Sequence, residues 1–173
     1  SFPYDLFADN PRYDLGVIIS SRGCKKHCIF CSHHIISHYN LRYRSAESVV
    51  ETIKLLHHSF NKTHILFLDD NFLENFDRIF ELTQLIKREK LYNLCRFSFQ
   101  ARCDQASPEV LKELYSAGFR TVFFGVETAS RPLLKRINKG LTIEDITKSI
   151  HTASKIGFSV QASFIFGFPG ESH

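Results

Sequence analysis

The feature that most constrains the fold of this chain is a regular alternation of short apolar stretches with longer amphipathic ones. Five candidate strands cover residues 15–20, 64–70, 96–103, 121–127 and 159–167. Helical patterns lie between them. Such an alternation predicts a parallel sheet with crossover helices, and five strands are too few for a closed eight-stranded barrel. We therefore expect an α/β fold with an open, curved sheet.

Local capping signals mark where the predicted helices begin and end. Two helices are predicted over residues 46–60 and 75–89 from the spacing of their apolar residues. Ser107 followed by Pro108 is typical of a helix start, and Gly118 predicts the corresponding stop. Thr142 opens the last predicted helix and Gly157 closes it. The recurrence of helix, glycine and strand indicates a repeated βα unit.

Alternation along the strands predicts one polar and one apolar face. On the third strand the polar face holds Ser98, Gln100 and Arg102, and the apolar face holds Phe97, Phe99 and Ala101. On the fifth strand Gln161, Ser163, Ile165 and Gly167 oppose Val160, Ala162, Phe164 and Phe166. We expect the aromatic faces to lie under helices and the polar faces to line the inside of the curve. Because buried polar groups need partners, a polar interior predicts a polar ligand.

Composition limits the class of protein. A chain of 173 residues with 43% hydrophobic and 23% charged residues predicts one globular domain. A net charge of +4 is too small to indicate nucleic acid or an anionic membrane, and no apolar run reaches the roughly 20 residues of a membrane span. Residues 1–14 lack periodicity and are predicted to be a lead-in linker. Because the chain has no methionine and begins with Ser1, we expect it to be a piece of a longer protein.

Three cysteines, Cys24, Cys28 and Cys31, follow the first predicted strand with C-x3-C-x2-C spacing. Cysteine is the usual ligand of iron–sulfur clusters. Three thiolates in one loop can each hold one iron of a [4Fe–4S] cube and leave the fourth iron open. The alternative is a zinc site, which takes four Cys or His ligands. Its further ligands would come from His27, His33, His34 or His38.

The five cysteines are odd in number and clustered, which favours a metal site over a disulfide framework. A metal site of this kind indicates a reducing compartment, so we expect a cytoplasmic protein. Cys95 and Cys103 lie outside the loop and are predicted to be small core residues.

The cysteine loop Ser21-Arg22-Gly23-Cys24-x3-Cys28-x-Phe30-Cys31 is accompanied by further motifs in a fixed order. These are Tyr43-Arg44-Ser45, Phe67-Leu68-Asp69-Asp70-Asn71-Phe72, Phe124-Gly125-Val126-Glu127-Thr128, residues 134–140 (LKRINKG) and residues 166–171 (FGFPGE). From about Gly16 to the C-terminus the chain resembles the radical S-adenosylmethionine (radical SAM) enzymes. It resembles in particular the branch whose members often carry a separate cobalamin-binding domain.

The resemblance implies a partial (β/α)6 barrel, truncated here to about five βα units. Residues 15–173 would then be a radical SAM core domain that is incomplete at its C-terminus. The sixth strand would lie beyond His173, and any cobalamin domain would lie upstream of Ser1.

By the same resemblance, Cys24, Cys28 and Cys31 hold the cluster and are the catalytic essentials. The open iron chelates the amino and carboxylate groups of SAM, and Phe30 lies beside the adenine. The segment with Asp69 and Asp70 meets the amino group of the methionyl moiety. Which of the two aspartates faces the cofactor stays open, and either Asp70 or Asn71 could instead cap the next helix.

Four further positions follow from the resemblance. Glu127, with Gly125 before it, contacts the ribose hydroxyls or amino group of the cofactor. Ile165 lies against the adenine, and Gly167 allows close approach.

Arg102 and Gln100 are assigned from their own chemistry. A guanidinium pairs bidentately with a carboxylate, and SAM carries one. The alternative for Arg102 is a structural ion pair with Asp69 or Glu127. Lys135, Arg136 and Lys139 lie near a predicted helix end, and we expect them to form a solvated basic patch.

The predicted function is reductive cleavage of SAM to a 5′-deoxyadenosyl radical for methylation or rearrangement of an unidentified substrate. The implied cofactors are a [4Fe–4S] cluster and SAM, with or without cobalamin held by a domain outside this chain. The implied partners are a reductant such as flavodoxin or ferredoxin and a small-molecule substrate. Nucleic acid is not indicated by this chain. Two alternatives remain, a methylthiotransferase acting on tRNA or a ribosomal protein, and a non-catalytic zinc-binding module.

Overall fold

The computed structural model describes residues 3–7, 16–38 and 40–171. Its strands are β1 (Val17–Ile18), β2 (Ser21–Arg22), β3 (Arg42–Tyr43), β4 (His64–Phe67), β5 (Arg96–Ala101), β6 (Phe119–Glu127) and β7 (Ser159–Phe164). Its α-helices are α1 (His33–Ser37), α2 (Ala46–Phe60), α3 (Phe76–Arg88), α4 (Pro108–Ser116), α5 (Arg131–Arg136) and α6 (Ile143–Ile156). Short 3-10 turns cover Tyr4–Phe7, Phe72–Glu74, Leu91–Asn93 and Cys103–Gln105.

Five strands form one parallel sheet in the order β1-β4-β5-β6-β7. Neighbours in the sheet are therefore consecutive in the chain once the β2–β3 pair is set aside. That pair forms a separate antiparallel ribbon at the entrance to the cysteine loop. The arrangement confirms the predicted α/β fold with an open parallel sheet. The carboxyl ends of its strands all meet at one edge, where ligands of such folds bind.

The helix ends confirm the capping signals read from the sequence. Ser107 Oγ accepts a hydrogen bond from the N–H of Val110, and Thr142 forms a reciprocal capping box with Asp145. Gly157 ends α6 with a left-handed φ of 113°. A Cβ there would lie 2.8 Å from the hydroxyl oxygen of Tyr115, so both the backbone angle and the space require glycine.

Four strands (β1, β4, β5 and β7) end earlier than predicted, and β5 stops at Ala101 rather than at residue 103. β4 stops at Phe67 rather than at residue 70, because Asp69 turns away to bind the start of the cysteine loop. β7 stops at Phe164 rather than at residue 167. For β1, Ser20 lies beyond the end of the strand, and Leu15 lies outside the described residues.

The core is built largely from aromatic rings. Phe67, Phe72, Phe97, Phe99 and Phe119 are fully buried, with neighbouring ring centroids 4.9–6.0 Å apart. Full burial of one such side chain, relative to leaving it exposed to water, contributes roughly 1.5–3 kcal/mol to the free energy of folding. On β5 the aromatic face therefore lies in the core, as predicted.

On β7 the prediction of a covered aromatic face is wrong. Phe164 is 49% exposed and Phe166 is 84% exposed. β7 is an edge strand, and among the described residues only its beginning is packed against α6, through Val160. Alternation identified the face correctly but could not show whether another element covers it.

The predicted linker, residues 1–14, lies mostly outside the described residues. Within it, Tyr4 is buried, and its hydroxyl donates a 3.0 Å hydrogen bond to the carbonyl of Val17. Its ring packs 5.9 Å from the ring of Phe60. None of the helices in the described ranges is long and apolar enough to cross a membrane.

Candidate active site

A cavity of about 360 Å³ lies at the carboxyl edge of the sheet. Nine predicted site residues line it: Cys24, Cys28, Phe30, Cys31, Asp70, Gln100, Arg102, Gly125 and Glu127. Its other lining residues are Lys26, His33, Ala101, Phe123, Lys139 and Ser163. Asp69, Ile165 and Gly167 were also predicted but do not line it. A second cavity, of about 400 Å³, lies between α5 and the start of α6 and contains none of the predicted residues.

The cysteine loop is docked onto the turn that follows α5. The N–H of Ile29 donates to the carbonyl of Ile137 at 3.1 Å, and Asn138 Nδ2 donates to the carbonyl of His27 at 3.0 Å. At the loop entrance Gly23 has a φ of 98°, and a Cβ there would lie 2.2 Å from the carbonyl oxygen of Asn40. Only glycine fits, so the approach of the chain to Cys24 is fixed.

Asp69 is a structural residue of the loop entrance. Its side chain is buried and accepts hydrogen bonds from Ser20 N–H (2.6 Å), Ser20 Oγ (2.5 Å) and Ser21 Oγ (2.7 Å). Arg78, also buried, donates to the carbonyl of Ser20 at 2.9 Å. Asp69 therefore holds the backbone that leads into the cysteines.

Asp70 is the aspartate that faces the cavity. Its Oδ2 accepts a 2.6 Å hydrogen bond from the N–H of Gly23, and its Oδ1 lies 3.1 Å from Nε2 of His33. The alternative that Asp70 or Asn71 caps the next helix is wrong, because Asn75 caps α3 through the N–H of Arg78. His33 was considered only as a zinc ligand and is instead the partner of Asp70.

Arg102 is held by an acid that was not predicted. Its Nε and Nη2 donate to the two carboxylate oxygens of Asp104 at 3.0 and 3.1 Å, and Nη2 also donates to the carbonyl of Lys139 at 2.7 Å. Arg102 therefore does form the structural ion pair that was considered as the alternative, but its partner is Asp104 and not Asp69 or Glu127. Burial opposes ionisation of Asp104, but the hydrogen bonds and charge of Arg102 hold its pKa below the ordinary value. The remaining Nη1 lies 3.7 Å from Cys28 Sγ.

Glu127 and Lys139 form a buried ion pair at the cavity wall. Lys139 Nζ lies 2.9 Å from Glu127 Oε1, and both residues are less than a tenth exposed. Lys139 Nζ also lies 5.6 Å from the ring centroid of Phe30, over its face. A Cβ on Gly125 would lie 2.7 Å from Glu127 Oε1, so this glycine leaves room for the carboxylate.

Lys139 is a cavity residue that sequence reasoning placed in a solvated patch. Lys135 and Arg136 are exposed, as expected, but Lys139 turns inward between two left-handed residues, Asn138 (φ 52°) and Gly140 (φ 66°). The Asn-Lys-Gly sequence was the available signal, because Asn and Gly readily adopt that conformation. Glu127 is itself left-handed, with a φ of 66°, which is uncommon for such a residue and is concentrated at functional sites.

None of residues 165–171 lines the cavity, but this turn after β7 touches the cavity wall, where the ring centroids of Phe168 and Phe30 lie 5.9 Å apart. The N–H of Ile165 donates to the carbonyl of Glu127 at 2.9 Å. Gly167 has a φ of 84°, a conformation that favours glycine, and a Cβ there would meet no protein atom within 4 Å. Glu171, which had no predicted role, accepts hydrogen bonds from the N–H groups of Gly167 and Phe168.

The cysteines fall into two environments. Cys24 and Cys31 are partly exposed at the cavity and Cys28 is buried beside Arg102, while Cys95 and Cys103 lie in the core as predicted. Burial raises the pKa of the Cys103 thiol to about 11, which suits an inert core residue. Burial also raises the pKa of the Cys24 thiol above its ordinary value.

The donor set fits an iron–sulfur cluster better than zinc. Among the side chains that the structure describes, no three His, Cys, Asp or Glu groups converge on a position that could hold one metal ion. A structural zinc site needs four converging ligands. Each cysteine of a cubane cluster binds a different iron, so the three thiols need only line one cavity, as Cys24, Cys28 and Cys31 do.

Comparison with known sequences agrees with this geometry. The family described as the radical SAM superfamily matches residues 18–173. An uncharacterized methyltransferase of Pyrococcus horikoshii is 36% identical over 157 residues, which cover 91% of this chain and 34% of that protein. A protein named a putative methylthiotransferase, from Methanocaldococcus jannaschii, is 28% identical over 176 residues, which cover 98% of this chain and 39% of that protein. The chain spans about a third of the length of these curated relatives.

Solved structures share the fold. The cobalamin-dependent S-adenosylmethionine radical enzyme OxsB, solved with aqua-cobalamin and S-adenosylmethionine, aligns with a TM-score of 0.76 at 25% identity. The alignment covers 86% of this chain and 23% of OxsB. The radical S-adenosylmethionine methyltransferase TsrM of Kitasatospora setae aligns with a TM-score of 0.82 at 21% identity, over 98% of this chain and 33% of TsrM. The second match shows the fold alone.

Proposed function

This chain belongs to the radical SAM superfamily, and from that premise we propose that it binds a [4Fe–4S] cluster and SAM in the cavity at the carboxyl edge of its sheet. Cys24, Cys28 and Cys31 hold the cluster. The observation that carries the proposal is that these three thiols share one cavity with buried, charged side chains. When bound, the cluster supplies an electron to the SAM sulfonium, which yields methionine and a 5′-deoxyadenosyl radical that removes a hydrogen atom from the substrate.

The cysteine loop is held in position before the cluster binds. Asp69 and Gly23 fix the loop entrance, and Asp70 ties the Gly23 backbone to His33. The guanidinium of Arg102, held by Asp104, directs Nη1 at the sulfur of Cys28. A guanidinium at this place would attract the negative charge of a cluster held by the cysteines.

The opposite wall of the cavity serves the cofactor. Lys139 donates its hydrogen bond to Oε1 of Glu127 and not to Oε2. Oε2 is therefore left to accept hydrogen bonds from ribose hydroxyls or an amino group. The Phe30 ring lies between Lys139 and Phe168 and offers an apolar surface for the adenine. Gln100 and Asp70 supply further polar groups for the methionyl end. Ile165 and Gly167 keep their proposed places at the adenine, although neither lines the cavity described here.

The reaction proposed for the whole protein is methylation of an unactivated carbon of a small molecule. The P. horikoshii relative carries the name of a methyltransferase, and OxsB is described as cobalamin-dependent. Cobalamin would be held by a domain outside this chain, and a protein such as flavodoxin or ferredoxin would supply the electron. Methylthiolation is the second candidate, because the M. jannaschii relative matches nearly the whole chain.

The deciding experiment is electron paramagnetic resonance on anaerobically reconstituted, reduced protein with and without SAM. We expect a cluster signal that changes when SAM is added. Cys28→Ala should abolish the signal, while the matched control Cys95→Ala, a core cysteine, should retain it. An unchanged signal in Cys28→Ala, or a wild-type signal that does not respond to SAM, contradicts the proposal.

The full-length protein then separates the two reactions. Mass spectrometry of the product distinguishes an added methyl group from an added methylthio group. A methylthio product, or a tRNA or ribosomal-protein substrate, contradicts small-molecule methylation while leaving the cofactor site intact.

A further inference from the structure

The basic side chains of this chain are concentrated beside the cysteine loop. Residues 15–46 and 128–143 contain nine of the 22 Lys and Arg residues and none of the 18 Asp and Glu residues. The rest of the chain is therefore net negative. The two segments are distant in sequence, but the hydrogen bonds of Ile29 to Ile137 and of Asn138 to His27 bring them into contact.

We name five of these basic residues the basic face: Arg22, Lys25, Arg42, Lys135 and Arg136. The β2–β3 pairing and the contacts of the cysteine loop with the turn after α5 bring their segments together. All five are exposed, and none of them has an ion-pair partner among residues 3–7, 16–38 and 40–171. The other basic residues of the two segments are mostly engaged within the chain. Lys26 pairs with Asp104, and Lys139 pairs with Glu127.

One pair on the basic face is unfavourable for the isolated chain. Arg22 and Arg42 lie directly opposite each other in the β2–β3 ribbon. Like charges in this position destabilise an antiparallel pair, and no acidic side chain of the described structure contacts either arginine. An anionic partner surface would offset this cost.

Exposed apolar side chains accompany the basic face. Ile29 in the loop and Ile35 and Ile36 on α1 are each about two-thirds exposed. An apolar centre with a charged rim is the usual anatomy of a protein–protein interface. Single-stranded nucleic acid is instead bound along grooves whose aromatic rings are free to stack on bases. The exposed rings beside this surface, Phe30 and Tyr43, are engaged within the chain by Lys139 and Arg78.

We propose that the basic face and these isoleucines form the docking surface for an acidic electron-donor protein. The inference rests on the proposed function, because it assigns the route by which the cluster is reduced. Lys25 and Ile29 belong to the same loop as the cysteines that line the cavity, so a docked donor is separated from the cluster mainly by that loop. The flavin hydroquinone of a flavodoxin is oxidised to the semiquinone and the cluster is reduced by the same electron.

Charge reversal on this face tests the proposal. The test variant is Lys25→Glu/Arg42→Glu/Lys135→Glu, and the matched control is Lys112→Glu/Lys148→Glu/Lys155→Glu, three exposed lysines on α4 and α6. Calorimetry gives the affinity for oxidised flavodoxin, and stopped-flow absorbance gives the rate of cluster reduction by flavodoxin hydroquinone. We expect both to fall about tenfold or more in the test variant at low ionic strength, and the difference to shrink at high salt. Reduction by dithionite should be unchanged.

Two results overturn the docking surface. One is a test variant that binds flavodoxin as tightly as the control. The other is a test variant that keeps its flavodoxin affinity but loses affinity for tRNA, which assigns the surface to nucleic acid. Flavodoxin binding is measured without reference to the cluster. A protein that assembles no SAM-responsive cluster therefore contradicts the proposed function and not this surface.

Discussion

The two sides of the cavity are built differently. On the side of the cysteine loop, buried polar groups hold the backbone: Asp69 on Ser20 and Ser21, Arg78 on Ser20, and Asp70 on Gly23. On the side of β7 and the turn 165–171, the strand is at the sheet edge and Phe166 is exposed. The side of the cysteine loop is thus held by hydrogen bonds without any cofactor, while the β7 side leaves apolar surface exposed.

Asp69→Ala should have the largest effect, because it removes the acceptor for three buried donors. We expect the free energy of unfolding to fall by about 3–5 kcal/mol, since each buried group left without a partner costs about 1–3 kcal/mol. Urea denaturation measures the change. Glu171→Ala, on the open side, is the matched control and should cost under about 1 kcal/mol. Equal costs for the two variants would show that the two sides are held alike.

Lys139→Met tests the buried ion pair at the boundary between the two sides. Leaving Glu127 buried without its partner should destabilise the protein by about 3 kcal/mol, measured by thermal or urea unfolding. The double variant Lys139→Met/Glu127→Gln should recover much of that loss, because no charge is left unpaired. It should still lack the SAM-dependent change in the cluster signal. Full recovery of the SAM response would mean that Glu127 serves stability alone.

A comparison of two glycines sharpens the contrast. Gly125→Ala places a Cβ against Glu127 Oε1 and should weaken SAM binding about tenfold by displacing that carboxylate. Gly167→Ala meets no atom within 4 Å and should cost about 1–2 kcal/mol of stability through its left-handed backbone. Equilibrium binding of SAM measures the first effect, and urea unfolding measures the second. A Gly125→Ala variant with unchanged SAM affinity would remove the proposed role of Glu127 in cofactor binding.

Phe166→Ala should have the smallest effect. The ring is 84% exposed, so its loss should change the free energy of unfolding by no more than about 0.5 kcal/mol. The comparison is Phe99→Ala, which removes a fully buried ring on β5. We expect the free energy of unfolding of that variant to fall by about 3–5 kcal/mol in urea denaturation. A large loss for Phe166→Ala would mean that the ring is covered in solution.

Local signals predicted most of the fold. Capping by Ser107 and Thr142 and the stop at Gly157 depend on residues within one helical turn, so the sequence suffices for them. The parallel sheet with crossover helices follows from the alternation of strands and helices, and it too was predicted. The coverage of Phe164 was not, because it depends on which element packs over a strand edge.

The candidate site was predicted as a set of residues but not as a set of contacts. Nine of the twelve predicted residues line one cavity. The distinction between Asp69 and Asp70 was out of reach, because it is decided by Ser20 and Gly23 far away in the sequence. Lys139 looked like its exposed neighbours, and only its pairing with Glu127 shows otherwise. The Asp104 partner of Arg102, two residues away, is the contact that closer reading could have found.

The docking of the cysteine loop on Asn138 has a consequence for the order of events during synthesis. Asn138 lies 111 residues beyond His27, the loop residue whose carbonyl it binds. The ribosome therefore releases all three cysteines long before the turn that supports them exists. We expect the three thiols of the nascent loop to be exposed to oxidation. We also expect cluster insertion to be one of the last steps in the maturation of this domain.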